Sequence, residues 1–227
     1  AVRSAERVAK SWFRGTRARA VFAGCAAHSM MPLDRAGTAA FGMMLSLSVH
    51  AAGWPLPRGG SRAIIDVMAK RLAGLGGVVR AGERVRSLAQ LPPSRVVLFD
   101  VMPQSLASIA GDALPAGYKR QLLRYRYGPG VFKLDWALDG PIPWRDASAR
   151  RAGTVHVGPT LEDIMRSEKA AYDGDVCDAP FVLVAQQSLF DDTRAPRGKR
   201  AAPWTSTLDT AGLVAALSVF LVPLLGG

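Results

Sequence analysis

The residues between Trp54 and Val85 have the types and spacing best suited to chemistry. They run Trp54-Pro55-Leu56-Pro57-Arg58-Gly59-Gly60-Ser61, then a helical segment, Gly76-Gly77-Val78-Val79 and Glu83-Arg84-Val85. Paired glycines let a backbone approach a partner closely, and Arg58 brings a permanent positive charge for an anionic group. The plainer reading of Arg58, a surface salt bridge, stands beside that one. Ser61 is placed to cap the following helix. Ile64, Met68, Leu72 and Leu75 recur at helical spacing, which predicts one buried face. Gly76-Gly77 ends the helix, and the β-branched Val78-Val79 opens a strand expected to join the one containing Val96 to Leu98.

Other chemistries find less support. The chain contains no G-x-G-x-x-G, so the phosphate-cradling turn of a dinucleotide fold is missing from it. It contains no G-x-S-x-G either, which removes the serine-hydrolase elbow. Asp191-Asp192 and Glu162-Asp163 are adjacent pairs whose side chains diverge, and they read as solvated surface. His28, beside Ser29, could act as a base, but a structural histidine is the simpler reading. The two cysteines, Cys25 and Cys177, and the three histidines are scattered without metal-ligand spacing. No metal site is expected, and the thiols read as ordinary ones in a reducing cytoplasm.

The ordered succession from Trp54 onward resembles FAD-dependent oxidoreductases of the phytoene dehydrogenase and flavin amine oxidase type. In those proteins P-x-G-G, a helix, G-G-x-V and a later valine mark the return of the chain from the substrate domain to the flavin domain. The similarity continues through Arg95-Val96-Val97-Leu98-Phe99-Asp100, Tyr127-Gly128-Pro129-Gly130-Val131-Phe132-Lys133 and Ala195-Pro196-Arg197-Gly198-Lys199. The resemblance implies FAD as cofactor, Arg58, Gly59, Gly60 and Val85 as residues that meet it, and an apolar or amine-type substrate giving hydride to the flavin. Val85 is equally read as one more core valine. Because the family's glycine-rich unit is missing, the chain reads as an internal piece that binds FAD weakly or not at all, with catalytic residues unassigned. The expected architecture is mixed α/β (α+β), a substrate domain plus part of a flavin-binding domain. Residues 1–57 form a helical substrate-domain segment, 58–110 the return segment, 111–199 further substrate-domain strands and helices, and 200–227 an unmatched apolar tail.

The chain has 227 residues, 49% of them hydrophobic, enough to bury a core in one or two domains. Its formal charge is +11, carried mostly by arginine, and no basic-aromatic motif points to nucleic acid. Residues 1–23 read as one helix with Arg3, Arg7, Lys10, Arg14 and Arg17 on a single face. With the apolar run 211–225, that face supports an alternative: a non-enzymatic basic module in peripheral contact with membranes through residues 1–20 and 211–225. The 15-residue run is too short to span comfortably. Further elements are expected as a buried helix over 39–52, a buried strand over 95–99, helices over 104–109 and 161–172, and strands near 131–138, 154–157 and 181–185. Removal of everything after Lys199 is expected to leave the melting temperature unchanged.

Overall fold

The computed structural model describes residues 2–207. The helices are α1 (Ala5–Trp12), α2 (Thr16–Ala27), α3 (Thr38–Ala52), α4 (Ser61–Gly74), α5 (Pro103–Ala110), α6 (Ala116–Leu123) and α7 (Leu161–Asp173). The strands are β1 (Val131–Leu138), β2 (Thr154–Val157), β3 (Val182–Ala185) and β4 (Arg200–Thr207). This is a mixed α/β chain with one small sheet. It divides into two compact units, residues 2–66 with 128–207, and Val67–Tyr127, so that α4 crosses the division.

In the larger unit the helices meet on small residues. Ala5, Ala9, Ala23, Ala26, Ala27 and Ala39 are buried together with Val8, Phe22, Leu33, Leu161 and Ile164. A Cβ on Gly42 would lie 2.9 Å from the Phe22 ring, so α3 approaches α2 as closely as it does only because residue 42 has none. Thr38 ties α1 to α3. Its buried hydroxyl accepts the Ala5 N–H at 2.8 Å and donates to the Arg35 carbonyl at 2.8 Å. The expected single N-terminal helix is interrupted, since Phe13 is extended and Gly15 starts α2 afresh. All five basic side chains from Arg3 to Arg17 are exposed, while Val8 points into the core.

The sheet has the order β1-β4-β3-β2, every pair antiparallel. Its central strand is the one that sequence patterning missed. β4 pairs along its length with β1, from Arg200 opposite Leu138 to Thr207 opposite Val131, and on its other edge with β3. Arg200-Ala201-Ala202-Pro203 lacks the alternating apolar pattern and contains a proline, which donates no ladder hydrogen bond. The pairing comes from β1 and β3 on both sides. The run 211–225 lies outside the described residues.

The smaller unit overturns several expectations. α4 forms where expected, yet none of its residues is buried, and Ile64, Met68, Leu72 and Leu75 are all exposed. Neither Val78-Val79 nor Arg95–Phe99 belongs to a strand, and no ladder joins them. Val78 is 79% exposed and Leu98 90% exposed. A β-branched run becomes a strand when a neighbour takes its backbone groups and its side chains find a surface to cover. Neither condition is met within this unit, where Ala107 and Ala110 are the buried apolar residues. α3 also departs from expectation. It is helical as expected, but Phe41, Met44, Leu47 and Val49 are exposed, and burial is confined to Thr38, Ala39 and Gly42.

Two predictions follow from the larger unit. Ending the chain at Lys199 removes a central strand, so its melting temperature should fall by roughly 10 °C or more relative to a chain ending at Thr207; equal melting curves would show β4 to be dispensable. The second concerns Glu168 on α7, which is 2% exposed. Burial pushes its carboxyl up from 4.5 to about 7. A carboxyl raised on folding contributes stability that is full below pH 4.5 and lost as pH rises through 7. Glu168→Gln should therefore stabilise the protein by roughly 3 kcal/mol at pH 8 and have little effect at pH 4.5, measured by urea unfolding at both values.

Candidate functional site

A groove of about 1000 Å³ opens in the larger unit. One wall is β2, with Val155 and His156, and the neighbouring Ala185 of β3. Ala20, Val21 and Cys25 of α2 also line it, with Val49 at the end of α3 and with Trp54, Pro55 and Leu56. Phe190 stands at the rim, largely exposed.

Few polar groups interrupt this lining. Gln187 lines the groove, but its Oε1 is buried and has no hydrogen-bond partner among the described residues. Asp146 accepts the N–H of Ser148 at 2.6 Å and of Ala149 at 3.4 Å. Those bonds, the Ser148 N–H foremost, hold its carboxyl below the usual carboxylate range, with Arg17 adding to the effect. It therefore stands ionised at the groove in neutral solution. The His156 imidazole is pushed down to about 4 by burial, with nearby His28 adding, and partial desolvation lowers His28 as well, although that side chain remains open to solvent. Both rings are neutral at pH 7. An apolar trough with one carboxylate suits a ligand with an apolar body and a cationic head.

The polar loop beside the groove is fixed by one glutamine. Gln186 is buried at the end of β3. Its Nε2 donates to the carbonyls of Ala149 and Ala152, each at 2.8 Å, and its Oε1 accepts the Trp144 indole N–H at 3.0 Å. Its own backbone N–H donates to the Gly153 carbonyl at 2.7 Å. Every side-chain donor and acceptor of the amide is used, and the segment carrying Asp146 is held against the sheet.

The residues expected to meet a cofactor are placed otherwise. Arg58 pairs with Asp192 at 2.8 Å, both largely exposed. The Gly59 N–H donates to Asp191 Oδ2 at 2.8 Å, and Arg194 Nη1 donates to the Gly59 carbonyl at 3.3 Å. Gly59 and Gly60 take φ of +84° and +83°, and a Cβ on Gly60 would fall 1.8 Å from Arg194 Nη1. The close approach that the glycines permit is thus made by the chain's own Arg194. Asp191 is no solvated surface residue: it is buried, and the Thr193 hydroxyl, then the N–H groups of Thr193 and Gly59, hold its carboxyl low. With this N–H taken and two carboxylates at hand, the loop as placed does not fit the pyrophosphate of FAD. Val85 is half-buried in the other unit.

Sequence reasoning missed His156, Gln186, Gln187 and Asp146 as site residues, because nothing in local spacing links them. One signal was available for His156. Gly24 sits mid-helix, where glycine costs about 1 kcal/mol against alanine. A Cβ there would lie 2.6 Å from His156 Nδ1, which gives the glycine its packing reason.

Gln186→Ala should cost about 2–4 kcal/mol in urea unfolding, since it leaves two carbonyls and an indole N–H without partners. A loss under about 1 kcal/mol would mean that water or a neighbour replaces the amide. No protein-family model and no curated protein matches the chain.

Proposed function

We propose that the chain supplies the substrate compartment, and part of the flavin-side scaffold, of an FAD-dependent oxidoreductase of the phytoene dehydrogenase and flavin amine oxidase type. The groove carries this reading. Its apolar walls and the ionised Asp146 suit an amine with an apolar body. The arrangement of units supports it as well. One unit is built from two separated stretches and the other from the intervening Val67–Tyr127, the form expected where a chain passes from a substrate domain to a flavin domain and back.

FAD, when held by a complete flavin domain, accepts the hydride; what this chain does is bind and orient. Val155, Ala185, Val21 and Leu56 would bury the apolar body and exclude water from it, which gives positioning its leverage on rate. Asp146 would attract the ammonium form. The loop at Arg58–Gly60 is closed on Asp191, Asp192 and Arg194, and the sequence lacks a glycine-rich phosphate turn. Tight FAD binding by this chain alone is therefore not expected.

Two measurements test the reading. Titration with 4-phenylbutylamine, followed by calorimetry, should show binding at least about tenfold tighter than 4-phenylbutanol, and Asp146→Asn should erase most of the difference. Equal affinity for amine and alcohol, or no binding of either, overturns the substrate assignment. Protein purified with FAD and then dialysed should lose its yellow colour, whereas stoichiometric retained flavin would contradict the account of the loop.

A further inference from the structure

The second observation at the α2–β2 contact is independent of any flavin. His28 is the C-cap residue of α2 and His156 lies in β2, 128 positions apart in the chain. Their Nε2 atoms are 3.4 Å apart, with ring planes inclined at 44°. Two imidazole nitrogens bound to one tetrahedral ion, each about 2.0–2.1 Å from it, are separated by roughly 3.3–3.4 Å. A good hydrogen bond from a ring N–H is shorter, near ~2.9–3.0 Å. The separation in this pair matches that of two ligands sharing an ion, and is long for a ring N–H hydrogen bond.

We propose that His28 and His156 chelate a divalent zinc-type ion through their two Nε2 atoms, at the edge of the apolar groove. The second-layer packing fits this role. Gly24 leaves room for the His156 ring against the α2 backbone, and Phe181 meets it edge-on at 5.3 Å between centroids. His156 is therefore fixed, while His28 sits exposed at a helix end where an ion and its waters can reach it. Among the described residues no third His, Cys, Asp or Glu joins the pair in a group that could hold a metal ion, so the two imidazoles would be the protein ligands and water would complete the shell. His156 borders the groove, which places those waters beside its bound ligand. Imidazole nitrogen selects Zn²⁺, Cu²⁺, Ni²⁺ or Co²⁺ over Mg²⁺ or Ca²⁺.

Calorimetric titration of the full chain with ZnCl₂ should saturate at one ion, with no comparable heat from MgCl₂. His28→Gln and His156→Gln should each weaken zinc binding about tenfold or more. His50→Gln, on the remaining histidine, should leave it unchanged. Cobalt added in place of zinc should give a visible d–d spectrum that both variants at the pair abolish. His28→Gln, at an exposed position, decides the matter if His156→Gln does not fold. Zinc affinity that survives His28→Gln, or that is lost with Cys25→Ser while His28→Gln retains it, overturns the proposal.

Discussion

The larger unit depends on how closely other elements come to α2. Its inward positions carry Phe22, Ala23, Gly24, Ala26 and Ala27, so backbones rather than long side chains set the spacing. α1 and α3 pack on it through alanines and Gly42, and α7 meets it through Leu161 and Ile164. Such close contacts exclude added volume: one methyl at residue 24 or 42 would press on a ring already in place. The same closeness brings β2 against the helix and sets His156 beside His28.

The groove follows from this packing. Apolar groups of α2, β2 and β3 line an opening beside the Gly24–His156 contact. The polar groups around it belong to two classes. Gln186 is satisfied on every side and keeps the loop of Asp146 in place, whereas Asp146 itself is exposed and keeps its carboxylate open to a ligand. The clamp at Arg58–Gly60 illustrates the opposite outcome. There the glycines, the arginine and the acidic pair satisfy one another, and a motif that suggests a ligand serves to fasten the chain to Asp191, Asp192 and Arg194.

The two units are built on different physical terms. The larger has a helical core, a sheet of four strands and a second apolar cluster in which Val182 and Val184 meet Phe132, Leu134, Ile142 and Trp144. The smaller holds the second half of α4, where no residue is buried, and buries only Ala107 and Ala110 among its apolar residues. Helices of this length gain most of their stability from covering an apolar face, so Val67–Tyr127 has the lower intrinsic resistance to opening.

Local pattern determined much of the secondary structure. The helical spacing behind α4 and α7, the apolar spacing within Val131–Leu138, and the short β-branched runs at β2 and β3 are written in neighbouring residues, and those elements form where the spacing puts them. Burial was not legible in the same way. The spacing of Ile64, Met68, Leu72 and Leu75 describes an amphipathic helix, but only a packing partner turns an apolar face into a buried one. β4 shows the converse, since a segment without strand pattern becomes central when β1 and β3 supply its hydrogen bonds. The site belongs to tertiary structure for the same reason. Asp146, His156 and Gln187 acquire their roles from α2, β2 and β3 meeting around one opening, and the pairing of His28 with a residue 128 positions away depends on a contact distance that no local spacing encodes.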